Sequence, residues 1–181
     1  MANDKWNIHS FFWTPEDGLR DRAKADRVPY DLWVKEGYLR TTPGRTVDYE
    51  FVAHDIAEIL GGERVQALAY DRWRIDLMQK ELDRIGLTLP LVPHGQGYKD
   101  MSPALDVTES ELLNGRIVHD GNPVMTMCAA NAVVQQDPSG NRKLAKDKSS
   151  GRIDGMVSLV MAMAVTNETP EYYATGNLVT L

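Results

Sequence analysis

The feature that most constrains the fold is an apolar run late in the chain. Residues 156–165 are all apolar except Ser158. A helix that is apolar on every side is buried in the core of a globular protein or spans a membrane. A bilayer core of about 30 Å needs about 20 such residues, so this run is too short to cross one. We therefore predict a buried core helix over residues 152–165.

Shorter patterns before this helix alternate between strand and helix. Predicted strands cover 5–13, 39–42, 65–70, 87–92 and 116–119, and predicted helices begin near residues 15, 30, 49, 72, 103 and 123. Asp48 is placed to cap the helix over 49–60, which Gly61 ends. Residues 133–135 and 143–145 are predicted to pair as a hairpin. This alternation predicts an α/β fold, a mixed sheet flanked by helices.

Length and composition add limits to this prediction. With 181 residues, 43% of them hydrophobic, the chain is long enough for one domain with a core. We expect that domain over 1–166, followed by a polar, flexible tail over 167–181. The first residues lack the pattern of a secretory signal, which predicts a cytoplasmic protein. Cys128 is the single cysteine, so the sequence excludes an internal disulfide.

Charge is distributed unevenly along the chain. A formal net charge of −6 argues against a protein that coats nucleic acid nonspecifically. The segment from Asp137 to Arg152, however, contains five basic residues and two acidic ones. Such a segment is either simply solvated or contacts phosphate, and charge alone leaves both readings open. Its position just before residue 154 favours phosphate contact by a basic set: Lys143, Lys146, Lys148 and Arg152.

Two aspartates lie at the ends of predicted core elements. Asp71 follows the apolar run 65–70, and Asp154 lies in the first turn of the core helix. Carboxylates placed in this way can meet in one cleft and hold a divalent metal ion through oxygen ligands. Structural alternatives are a helix cap for Asp71 and a helix-dipole interaction of about 0.3–1 kcal/mol for Asp154. Burial of Asp154 against Met156 and Val157 would cost more than that, which favours a cation partner.

An ordered set of short segments carries a family resemblance. It includes Tyr70-Asp71-Arg72-Trp73 and Arg152-Ile153-Asp154-Gly155, together with residues 12–20, 26–34, 42–44, 48–49, 96–97, 101–103 and 121–124. Each segment alone is weakly specific. In this order, over residues 6 to about 165, they resemble the nuclease domain of the large terminase subunits of tailed double-stranded DNA bacteriophages.

The resemblance implies a fold, a chemistry and partners. The fold would be RNase H-like, with two divalent ions, Mg²⁺ or Mn²⁺, and the activity would be cleavage of concatemeric phage DNA during packaging in the host cytoplasm. Asp71 and Asp154 match the family's second and third metal-binding carboxylates. The implied partners are double-stranded DNA, the terminase small subunit, the portal and the terminase ATPase domain, with no membrane.

One departure from the family pattern leaves a second reading open. The family's first carboxylate lies on a strand before the one that begins at Lys5, and only four residues precede Lys5 here. We expect the chain to lack that opening strand and to cut DNA weakly or not at all by itself. The alternative function is a catalytically inactive module of the same fold that binds DNA or the packaging machinery.

Overall fold

The computed structural model describes residues 5–72 and 75–166, and the backbone of 177–180. It divides into two compact units: the first contains residues 1–10, 69–71 and 92–181, and the second contains 11–68 and 72–91. The prediction of one domain over 1–166 stays a prediction. Most of the predicted flexible tail, 167–176 and 181, lies outside the described residues.

Helices and strands alternate along the described chain, as predicted. The helices are α1 (Leu19–Asp26), α2 (Tyr30–Lys35), α3 (Tyr49–Leu60), α4 (Ile75–Arg84), α5 (Tyr98–Leu113), α6 (Pro123–Asn131) and α7 (Asp154–Val165). The strands are β1 (Trp6–Ser10), β2 (Trp13–Pro15), β3 (Arg40–Thr42), β4 (Leu68–Asp71), β5 (Leu91–His94), β6 (Ile117–His119), β7 (Val134–Gln136), β8 (Arg142–Leu144) and β9 (Asn177–Thr180).

The first unit contains a parallel sheet of order β6-β1-β9. Its central strand β1 carries Ile8, which is 1% exposed and is aligned with His119 on one side and Leu178 on the other. Strand β9 was not among the predicted strands. Its four residues lie within the segment predicted to be a flexible tail, and so short a run carries little periodic signal.

The predicted core helix is confirmed as α7. Val160 and Met163 on this helix are both 0% exposed, as expected for a helix that is apolar on every side. It shares a hydrophobic cluster with α5 and β8, whose buried members include Met101, Leu105 and Leu144. Among the described residues, no helix combines the length and apolarity needed to cross a membrane.

Three other predictions about the first unit had different outcomes. The hairpin is confirmed as β7 and β8, antiparallel with Val134 opposite Leu144. The helix predicted to open at Pro103 instead begins at Tyr98, because burial of Met101 draws the preceding turn into the helix. The strand predicted over 87–92 lies at Leu91–His94.

The second unit shows where tertiary pairing overrides a local signal. Thr14 and Pro15 predicted a helix start, but they lie in β2, which pairs in parallel with β3. Trp13 explains part of this difference, since its indole Nε1 donates to Asp55 Oδ2 at 2.8 Å. Arg40 of β3 bonds the same carboxylate at 2.9 Å, so Asp55 joins the two strands. Helix α1 begins later, after Gly18 in the left-handed region at φ 72°.

The predicted cap of α3 is confirmed, and it gives a first testable prediction. Asp48 Oδ1 accepts from the amides of Glu50 and Phe51 at 3.0 and 3.1 Å. Asp48→Ala leaves both donors without this partner, so we expect a loss of about 0.5–2 kcal/mol in unfolding free energy, measured by urea denaturation. The control Glu58→Ala, at an exposed position in the same helix, should stay within about 0.5 kcal/mol of the wild type. Equal losses in the two variants would contradict the capping role.

Candidate metal centre

Asp71 is the last residue of β4, and a loop from the next strand supports it. Strand β4 pairs with β5, which ends at His94 and leads into residues 95–97. In this loop, Gln96 Nε2 donates a hydrogen bond to Asp71 Oδ2. Asp71 is half-buried, and Arg72 directly after it is not helical, so Asp71 does not immediately precede a helix.

The loop that carries Gln96 is packed closely on its own helix. A Cβ atom on Gly95 would overlap Asp100 Oδ2 in the first turn of α5, so a larger residue at 95 would require the Asp100 side chain to move. Gly97 precedes α5 directly, and Met101 at 1% exposure fixes the first turns of that helix in the core. Gln96 is therefore held between a strand end and a buried helix start.

Asp154 opens α7 and pairs with a lysine. Its carboxylate Oδ1 lies 3.0 Å from Lys146 Nζ, and 68% of its side chain is exposed. The sequence argument that Asp154 is buried against Met156 and Val157 is therefore wrong. The carboxylate projects from the first turn of the helix, where solvent and the lysine ammonium stabilise its charge without any metal ion.

The basic segment lies beside the elements of both aspartates. Arg142 N donates to Ser102 Oγ at 3.1 Å, and its guanidinium bonds Glu109 at 2.8 Å, which fastens β8 onto α5. This attachment places Lys143 Nζ 4.8 Å from the ring centroid of Tyr98, two residues after Gln96. Three positions further on, Lys146 reaches Asp154. The other two predicted phosphate contacts, Lys148 and Arg152, are exposed.

The strand that ends in Asp71 and the helix that begins with Asp154 pack on one hydrophobic core. Ala69 of β4 packs against the cluster that contains Ile153, next to Asp154, and Val157 of α7. Within residues 143–146, Lys143 thus contacts Tyr98 at the start of α5, two residues after Gln96, and Lys146 contacts Asp154. Both predicted site residues and two of the four predicted phosphate contacts belong to this arrangement.

The donor set suits a hard divalent cation. Carboxylate oxygens are the ligands that Mg²⁺ and Mn²⁺ prefer, and Mg²⁺ is commonly held by one or two carboxylates with water and phosphate in its other positions. Within residues 5–72 and 75–166, no group of three or more His, Cys, Asp or Glu side chains could hold an ion. Two carboxylates supply enough oxygen ligands for one ion rather than for a pair of ions.

Comparison with known proteins identifies the family. A family model described as "Terminase large subunit, endonuclease domain" matches residues 1–169. The chain belongs to this family. The large terminase subunit of Enterobacteria phage HK97 is 58% identical over 162 residues, which cover 90% of this chain and 32% of that protein. Protein YmfN of Escherichia coli (strain K12) is 30% identical over 171 residues, covering 87% of this chain and 36% of that protein.

A solved terminase confirms the fold. The crystal structure of the HK97 bacteriophage large terminase matches with a TM-score of 0.81 at 59% identity, over 86% of this chain and 32% of that one. The predicted family and the mixed α/β class of terminase nuclease domains are therefore confirmed. The chain spans about a third of the length of these relatives. Membership in a nuclease family implies the use of a divalent metal ion in general terms.

Sequence reasoning noted Gln96 only as part of a Gln-Gly pair and assigned it no role. Its contact with Asp71 joins residues 25 positions apart, which no local pattern encodes. One signal was available: a polar residue between two glycines, after a strand and before a helix, is a common way to present a side chain at the end of a sheet.

Proposed function

We propose that this terminase nuclease domain is a metal-dependent DNA endonuclease that cuts concatemeric DNA during phage genome packaging. The observation that carries the proposal is the course of residues 143–146. Lys143 lies over Tyr98 beside the loop that supports Asp71, and Lys146 bonds Asp154. A lysine bonded to Asp154 and another over Tyr98, which lies two residues along from Gln96, are suited to bring a phosphodiester towards a cation held by these carboxylates.

In this proposal each residue has a separate task. Asp71 and Asp154 would hold Mg²⁺ or Mn²⁺ through their oxygens, and the ion would supply activation of a water and stabilisation of the leaving oxygen. Lys143 and Lys146 contact phosphate oxygens on the DNA backbone, and Lys148 and Arg152 extend this contact along the strand. A second ion, as the family resemblance implies, would need oxygen ligands from the DNA or from residues beyond the described set.

Lys146 links binding of the cation to binding of DNA in this mechanism. In the structure its ammonium neutralises Asp154 at 3.0 Å. Both side chains are at least half exposed, so the pair contributes little to stability and can open. If Asp154 ligated a cation, the Lys146 ammonium would no longer pair with it and would be available to a phosphate.

The rival function is a catalytically inactive module of the same fold that binds DNA or other parts of the packaging machinery. The observation in its favour is that the described residues bring no three acidic or histidine side chains to one place. Partners under either reading are double-stranded DNA, the small subunit, the portal and the terminase ATPase domain, in the cytoplasm of the host.

Plasmid cleavage separates the two functions. We expect the purified chain to nick supercoiled plasmid slowly in Mn²⁺ or Mg²⁺ and to stop when EDTA removes the ion. Binding of a fluorescent duplex should weaken steeply with salt, because it depends on phosphate contacts. Salt-sensitive binding without cleavage in either metal would establish the inactive module. If the chain neither binds nor cleaves DNA, both functions are contradicted.

A further inference from the structure

We propose that Gln96 is a positioning residue that orients the carboxylate of Asp71 for a divalent cation. The proposal rests on the metal-dependent function above and adds a residue to its site. Gln96 would not touch the cation or the DNA, and its effect would pass entirely through Asp71.

The contact has the chemistry that this role needs. Gln96 Nε2 is a neutral donor, and it occupies Oδ2 of Asp71 without cancelling the negative charge of the carboxylate. Lys146 acts differently on Asp154, because its ammonium at 3.0 Å competes directly with any cation. The two contacts thus differ: the Gln96 amide does not neutralise the carboxylate it bonds, whereas the Lys146 ammonium does and has to move before a cation can bind.

The surroundings make Gln96 a fixed support. Its loop is short, running from the end of β5 at His94 to the start of α5 at Tyr98. Gly95 lies directly against the Asp100 carboxylate, which a larger residue would displace, and Met101 anchors the helix in the core. A donor fixed in this way can select one rotamer of Asp71 before a ligand arrives.

Fixing that rotamer affects binding of the cation more than stability of the fold. Ligating carboxylates are generally held by such outer hydrogen bonds, and loss of one weakens metal affinity or activity by about 10- to 100-fold. Without Gln96, the Asp71 carboxylate would lose one fixed donor, and part of the binding free energy of the cation would go into ordering that carboxylate.

The test uses Gln96→Met, which keeps the length and volume of the side chain and removes the donor. We expect the Mn²⁺ dissociation constant of the full chain, measured by calorimetry, to rise by about 10- to 100-fold. Gln96→Asn keeps the amide but shortens its reach, and it should fall between Gln96→Met and the wild type. Gln79→Met, at an exposed position on α4, is the matched control and should bind Mn²⁺ as the wild type does.

The outcomes separate this inference from the proposed function. Thermal melting of each variant tests for a purely structural role. If Gln96 had only such a role, its substitution would lower the melting temperature and leave Mn²⁺ affinity unchanged. If Asp71→Asn loses Mn²⁺ binding and Gln96→Met keeps wild-type affinity, the positioning role is overturned and the metal site stands. If the wild-type chain binds no Mn²⁺, the proposed metal site and the role of Gln96 both fall.

Discussion

Asp71→Asn is expected to lower the rate of plasmid cleavage by at least about a thousandfold. The amide has the shape of the carboxylate and can still lie beside Gln96, but it carries no charge with which to hold a cation. Metal-ion stabilisation of a phosphodiester transition state is worth several kcal/mol, and about 4 kcal/mol corresponds to this factor. The measurement is the initial rate of nicking in Mn²⁺, with calorimetry of Mn²⁺ on the same sample.

The control for this variant is Asp83→Asn. Asp83 is an exposed residue of α4, and the same loss of one negative charge there should leave the cleavage rate unchanged. Equal nicking by Asp71→Asn and the wild type would locate the activity at another site or in a contaminating nuclease. Loss of activity together with a lowered melting temperature would point to misfolding, which the isosteric change is chosen to avoid.

The elements predicted best from sequence are those whose signal is local and repeated. The apolar run over 156–165 has one stable placement in a globular protein, and α7 occupies it. Helix α3 carries both a start signal at Asp48 and an end signal at Gly61, and its bounds agree with the prediction. Asp71 was expected at the end of a strand because an apolar run leads up to it, and β4 ends there.

The elements predicted poorly depend on partners distant in sequence. The helix expected to start at Thr14 does not form there, because β2 pairs with β3, whose residues lie more than twenty positions away. The expected burial of Asp154 failed because the periodicity of a helix does not show that its first turn faces solvent and Lys146. Gln96 could not be connected to Asp71 for the same reason, since a single hydrogen bond between a loop and a strand end leaves no periodic signal.

A second large effect is expected in the core that carries both aspartates. Leu105 on α5 is 8% exposed and belongs to the cluster with Val157 and Ile153. Leu105→Ala removes buried methyl groups and leaves a cavity, so we expect a loss of about 2–5 kcal/mol in unfolding free energy, seen as a lower urea midpoint with an unchanged slope.

The same helix provides the control, because Leu113 on α5 is 78% exposed. Leu113→Ala makes the same chemical change without a cavity and should stay within about 0.5 kcal/mol of the wild type. Ala69 of β4 packs against this cluster, and Ile153, next to Asp154, is one of its members. A less tightly packed cluster should therefore also weaken Mn²⁺ binding at temperatures where the fold persists. Equal destabilisation by the two substitutions would contradict this placement of the core, and with it the account of how Asp71 and Asp154 are held in one unit.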